Sequence, residues 1–463
     1  MMFTSARSHR AAAARANLSQ VILLVFILVG APNGTAQTKT IDSRLAQAAA
    51  LIRDSQLRQA EDQLTSILRA APNEARALNL LGAIRAQQGK LNDAEVLFSR
   101  ALRLDNRLVS AHMNLAHVFL LKGAPEKTIA ELKEVIRLEP NNAEATYKLA
   151  SLLLAQNHFD ECINFIEPMK DSASAALLVV LGDAYLKKHD PDKAEASYQL
   201  ALMRKNDDAD AVLGLAEVYQ FRKDLQEAAV YLARAKQLVA NSPATLYRFA
   251  LVAMRSGGYE EANAALTQAV KLNPDEPSYF LALGTTWLQK PDLFEAEKAF
   301  RRALELQPDN SPAQLSLGYT LMMQKKYPEA RQWLEKSLEK NNGVPETFYY
   351  LGQIALAQNE EQRAIEFFIK AIDLAPTYSY AHAALGSSYL RLKNYPLAQR
   401  ELELSVKLNP NDGKAHYDLA VLFARLKNNE RAQEEMQIVE KLKTKSSAES
   451  KEPRPSASPV PPE

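Results

Sequence analysis

The chain has one cysteine, and it stands in reactive company. In "NHFDECINFIEP" (157–168), Cys162 follows His158 by four residues and Asp160 by two, with Glu161 beside it. A thiol one helical turn from an imidazole could be a nucleophile with its base, because the thiolate is the attacking form and a neighbouring base generates it. The same residue types could also form part of a metal site. A single cysteine, however, supplies neither an internal disulfide nor a Cys-rich zinc centre. Other chemistry is thin: the sequence holds no phosphate-cradling Gly-rich loop, no HExxH and no GxSxG.

Composition fits a soluble folded protein. Hydrophobic residues make up 47% and charged residues 24% of the 463 positions. The 56 basic and 55 acidic side chains nearly cancel, and no basic run stands out, which argues against a nucleic-acid footprint.

The amino terminus departs from this average. Arg7, Arg10 and Arg15 precede the apolar block "VILLVFILV" (Val21–Val29), and Gly34-Thr35-Ala36 places small residues at minus three and minus one to a cut after Ala36. That order reads as a secretory signal over 1–36, giving an exported chain, periplasmic or secreted. The apolar block is short of the roughly 17–25 residues a membrane span needs. An uncleaved anchor is the alternative; with cleavage, no integral span is expected. Cleavage removes three arginines and no acid, so the formal charge goes from +1 to +1 − 3 = −2. At the other end "KTKSSAESKEPRPSASPVPPE" from Lys443 is rich in Ser, Pro and charge; 447–463 reads as a disordered tail.

Between these ends the chain repeats itself. From Ile41 it divides into units beginning at Ile41, Ala75, Val109, Ala143, Ala175, Ala209, Pro243, Pro277, Ser311, Pro345, Ser379 and Gly413. The full units are 34 residues long except the fourth, which has 32. Column 8 is small throughout: Gly82, Gly182, Gly284, Gly318, Gly352 and Gly386 in six units, alanine in the others. Column 20 is alanine in ten, including Ala94, Ala194, Ala228, Ala262, Ala296, Ala330, Ala364, Ala398 and Ala432; Thr128 and Cys162 are the exceptions. Column 24 is large and apolar, as in Phe98, Tyr198, Phe300, Phe368 and Met436. Proline in column 32 closes six units, for example Pro140 and Pro410.

Two helices per unit follow from this spacing. Columns 4, 7, 8 and 11 share one helical face, and columns 20, 24 and 27 another. Small residues at 8 and 20 let the helices approach, and the large residue at 24 fills the space between them. A unit cannot bury its own apolar face, so stability comes from stacking neighbours. Pro168 falls inside the second helix of unit four, where it removes a backbone donor and predicts an early end.

The columns resemble the tetratricopeptide repeat (TPR) family over 41–446. The resemblance implies an all-α fold, a right-handed superhelical solenoid of about twelve helix-turn-helix repeats. It implies a concave surface lined by the first helix of each repeat, with columns 2, 5, 9, 12 and 13 facing the groove. Those columns supply Tyr147, Phe221, Tyr247, Met254, Tyr319, Met322, Met323, Tyr349, Tyr380 and Tyr417 as partner-groove candidates. Aromatic and methionine side chains suit peptide or helical segments through large contact area and adaptable packing. Packing between adjacent first helices is the plainer alternative for each of them. The carboxylate clamp of the family needs a basic residue in column 5 with asparagine in column 9, and no repeat has that pair. An asparagine ladder would use column 6, where only Asn114 supplies it.

In this register "NHFDEC" aligns with "GGYEEA", "GKLNDA" and "KKYPEA". His158 becomes a turn residue, Asp160 and Glu161 acids in a first helical turn, and Cys162 a slightly larger alanine. His112, His382 and His416 share packing column 4; His117 is in column 9 and His189 in a turn. Trp287 and Trp333 read as packing.

The expectation is therefore a non-enzymatic scaffold with no cofactor and no metal. Its partner is a protein or peptide bound in the groove, with envelope assembly, secretion or surface-polymer export as the setting. The alternatives are an accessory subunit of an envelope enzyme complex, or an enzyme using Cys162 and His158. Self-association through the last repeat's second helix, around Met436 and Val439, is a further possibility.

Overall fold

The computed structural model describes residues 36–239, 242–340 and 343–449. The leader expected at 1–36 lies outside these residues except for Ala36, and the tail beyond Glu449 lies outside them too. Among the described residues there are 24 α-helices and one short 3-10 turn, arranged as consecutive helix-turn-helix pairs. By their internal contacts the described residues divide into two units, 36–238 and 239–449.

The first unit holds six pairs. Its first helices start at Ala36, Ala75, Val109, Ala143, Ala175 and Ala209, and its last helix is Leu225–Leu238. The second unit also holds six, with first helices starting at Pro243, Pro277, Ser311, Pro345, Ser379 and Gly413. Its last helix, Asn429–Glu449, continues past Lys443, where the composition becomes polar. In that helix Val439 is only 4% exposed, so the apolar patch expected around it reduces to Met436. No helix among the described residues is long and apolar enough to cross a membrane.

Local chemistry sets the starts and stops. Asn142, Ser174, Asp208 and Asn310 cap first helices by accepting from backbone N–H groups three residues on. Proline opens others, as at Pro243, Pro277 and Pro345, where the missing N–H costs no helical bond. Eleven of the twelve first helices end in a left-handed residue in column 15: φ lies between 60° and 78° at Ser55, Gly89, Gly123, Asn157, His189, Lys223, Gly257, Lys325, Asn359, Lys393 and Lys427, while Pro291 holds that column in the eighth repeat at 21°. The next N–H then reaches back five residues, as in Lys326 to the Leu321 carbonyl (2.9 Å) and Glu360 to Ala355 (2.8 Å). Only three of these residues are glycine, so most turns carry backbone strain.

Packing within each pair centres on columns 8 and 24. A Cβ placed on Gly82, Gly182 or Gly284 would stand 2.7, 2.6 or 2.5 Å from the ring of Phe98, Tyr198 or Phe300, each fully buried. Gly318 and Gly386 meet Leu334 and Leu402 in the same way, and Gly352 meets Phe368. Burying such a side chain contributes about 1.5–3 kcal/mol, so these columns are a principal source of stability. Tyr198 is pressed from two sides, since Gly214 of the next repeat also lies under its ring. Its hydroxyl donates to Asp183 Oδ1 at 2.7 Å, which satisfies the one polar atom the ring takes inside.

Repeat four breaks the rhythm as its proline requires. The second helix is only Phe159–Ile166, and Glu167–Met169 forms a 3-10 turn around Pro168. Pro168 has no N–H for the next α-helical bond, so the ladder tightens and stops.

Candidate functional site

Cys162 does not form a catalytic pair. Its side chain is fully buried, and Sγ contacts the Ala150 carbonyl oxygen at 3.5 Å. Burial pushes the thiol up to about 12, with Asp183 and Glu161 acting in the same direction, so the thiol stays protonated at neutral pH. The His158 ring faces carboxylates instead: Nε2 lies 3.9 Å from Glu126 and Nδ1 3.7 Å from Glu161. What links His158 to Cys162 is backbone, the Cys162 N–H donating to the His158 carbonyl at 2.9 Å. The nucleophile alternative is thereby set aside. Among the described residues no group of three or more His, Cys, Asp or Glu side chains is arranged to hold a metal ion.

The column-4 histidines have partners that a search for short-range ligands does not find. His112, His382 and His416 place Nδ1 against Glu131, Glu401 and Glu435, each nineteen residues ahead on the second helix of the same repeat. Reading columns 4 and 23 together would have exposed this pairing. His117 is half-buried, and burial together with Lys148 holds its pKa below the ordinary value. His189 is a left-handed turn residue whose ring is 5.6 Å from Phe221.

All ten groove candidates reach solvent. In the first unit Tyr147 and Phe221 are 46% and 45% exposed. In the second unit Met323, Tyr380 and Tyr417 are each 50% exposed, while Tyr247, Met254, Tyr319, Met322 and Tyr349 are half-buried. Several of the latter also pack on their neighbours. Tyr247 lies 5.1 Å from the ring of Tyr279, and Tyr349 contacts Tyr350, Phe368, Tyr378 and Tyr380 at 5.5–6.5 Å between centroids. Tyr319 joins this cluster through Tyr350 at 5.0 Å. Solvent access and packing thus coincide in single residues.

Tyr279, Tyr350 and Tyr378 fall in columns 3, 6 and 34 and were missed by reading the groove columns alone. Burial pushes the Tyr349 phenol up to about 12, and drives Tyr350 and Tyr378 up as well. These hydroxyls remain protonated donors. Glu346, in column 2 of the same repeat, is also raised by burial.

A tetratricopeptide repeat model matches residues 45–109 and 383–442, another matches 345–378, and a tetratricopeptide repeat-like domain model matches 105–222. The chain is built of tetratricopeptide repeats. A further model, described as the C-terminal domain of cilia and flagella-associated protein 70, spans residues 164–347 of these TPRs. Human protein O-mannosyl-transferase TMTC1 is 26% identical to the TPR chain over 176 residues. That match takes in 37% of the chain and 20% of the human protein, so the chain spans about a fifth of that relative's length.

Two solved structures are similar at low superposition. The APC/C hetero-tetramer Cut9-Hcn1 gives a TM-score of 0.41 at 14% identity, covering 80% of this chain and 93% of that one. Pseudomonas aeruginosa pilF gives 0.40 at 22% identity, covering 45% and 94%. Likeness at this level does not say what the TPRs bind.

Proposed function

We propose that this TPR chain is an exported, non-enzymatic scaffold that binds a protein or peptide along its first-helix face, in cell-envelope assembly, secretion or surface-polymer export. The observation that carries the reading is the run of tyrosine and methionine on the first helices of the second unit. Tyr319, Met322, Met323, Tyr349, Tyr380 and Tyr417 keep large apolar surface in reach of solvent. Apolar groups cost free energy when wetted, and the rings lose little rotamer freedom on binding. Their phenol O–H groups add hydrogen-bond donors for a partner's backbone carbonyls. Such a face suits an apolar segment with free acceptors, extended or helical. Export rests on the basic, apolar and small-residue order of 1–36.

Two measurements test this. Amino-terminal sequencing and fractionation of the expressed chain should find it outside the cytoplasm, cleaved after Ala36. A photo-crosslinking residue at Tyr380 should join a defined envelope protein, whereas the same residue at Phe294, on a second helix, should not. A cytoplasmic chain would refute export; equal crosslinking at both positions would refute the groove.

A further inference from the structure

Three repeats hold a histidine in one identical setting. In His112, His382 and His416, Nδ1 lies 2.6, 2.6 and 2.5 Å from a carboxylate oxygen of Glu131, Glu401 and Glu435. Nε2 lies 3.2, 3.0 and 3.1 Å from the backbone carbonyl oxygen of Asn106, Pro376 and Pro410, in the loop ahead of the helix. A carbonyl can only accept, and so can a carboxylate. Both ring nitrogens must therefore donate, and only the imidazolium has a proton on each. A neutral ring would turn one lone pair towards an oxygen inside the protein, where water is not at hand to relieve it.

The sequence carries the same pairing. Across the twelve repeats, glutamate occupies column 23 only in the three that have histidine in column 4. Repeat nine supplies an internal comparison. There Gln314 takes the histidine's place and donates from Nε2 to the Pro308 carbonyl at 2.8 Å. Column 23 of that repeat is Trp333, and Gln314 Oε1 is buried without a partner among the described residues. The carbonyl contact alone is thus compatible with the fold; the glutamate is what specifies a charged ring.

We infer that His382–Glu401 is an imidazolium–glutamate latch on its helix pair, so that this pair is tight below neutral pH and loosens as pH rises; His416–Glu435 repeats the geometry in the pair that follows. His112–Glu131 is a third copy in the first unit. Other charges face these rings. Glu134 reinforces Glu131 beside His112, while Arg400 opposes Glu401 beside His382 and lies 3.7 Å from its other oxygen. In support, the Glu401 bond and the Pro376 carbonyl raise the His382 pKa against burial. At His112 burial is the largest influence and works against the charge, but Glu131 and the Asn106 carbonyl outweigh it.

The sign follows from linkage. A histidine pKa raised on folding gives stabilisation that is complete below the unfolded value of about 6.5 and is lost as pH climbs through the folded value.

The test uses the full chain and the variant His382→Gln, which keeps the carbonyl contact as Gln314 does. The expected result is a higher urea midpoint for the parent at pH 6 and a gap that closes by pH 9. Ring-carbon NMR titration of the parent should show His382 titrating above the ordinary value, by about tenfold in proton affinity for each pKa unit. A gap independent of pH would overturn the latch, as would His382 titrating at or below about 6.5. If the variant does not fold, the titration of the parent decides alone.

Discussion

Phe300 lies over Gly284 so closely that a Cβ at position 284 would stand 2.5 Å from its ring carbon Cε1. The relation recurs with its chemistry matched. Every aromatic in column 24 (Phe98, Tyr198, Phe300, Phe368) faces glycine in column 8, and every alanine in column 8 faces leucine, isoleucine or methionine. A flat ring stands only over bare backbone, whereas leucine stands over alanine in some repeats and over glycine at Gly318 and Gly386.

Gly284→Ala should therefore destabilise the second unit by about 1–3 kcal/mol, through overpacking against a ring that cannot swing away. Adding Phe300→Leu should recover part of that loss, because it restores the pairing seen at Ala116/Leu132 and Ala250/Leu266. Urea unfolding of the two single variants and the double variant measures the coupling. Additive losses would show that the two positions do not share one space.

The fold was legible because each repeat restates the same packing problem. Columns 8, 20 and 24 carried it, and Pro168 alone announced the short helix Phe159–Ile166. The glutamate partners of the column-4 histidines were not found, since they lie nineteen residues away rather than one turn away. Tyr350 and Tyr378 were missed because their columns usually point elsewhere; here ring-on-ring contact draws them to Tyr349. Exposure also separated the candidates in a way spacing could not, leaving Tyr380 open and Tyr349 wedged among rings.

Lys325 holds φ at 62° in the turn between the two helices of its repeat, a conformation that glycine adopts without penalty at Gly257 in the equivalent turn. Lys325→Gly should stabilise the protein by about 0.5–1 kcal/mol, since relief of left-handed strain exceeds the added chain entropy. Lys325→Val should do the reverse, β-branching being least tolerant of positive φ. Urea midpoints of the three proteins give the order directly; a glycine variant weaker than the parent would contradict it.

Cys162 should behave as a buried alanine analogue. With its thiol pushed up to about 12, it should not react with Ellman's reagent at pH 8 until denaturant is added. Cys162→Ala should cost about 1 kcal/mol for the lost sulfur volume and leave partner capture unchanged. Rapid native labelling, or loss of capture with intact helicity, would reinstate a reactive cysteine.

Partner binding by the first helices of the second unit is the claim on which the functional account stands. Its most direct measurement is side-by-side affinity capture from an envelope fraction, using the parent, a Tyr319→Ala/Tyr380→Ala/Tyr417→Ala variant and a Phe294→Ala control, all checked for equal helicity by circular dichroism. The account predicts one partner retained by the parent and the control and lost at least tenfold by the triple variant. Equal recovery by all three, or none from a folded parent, would contradict it.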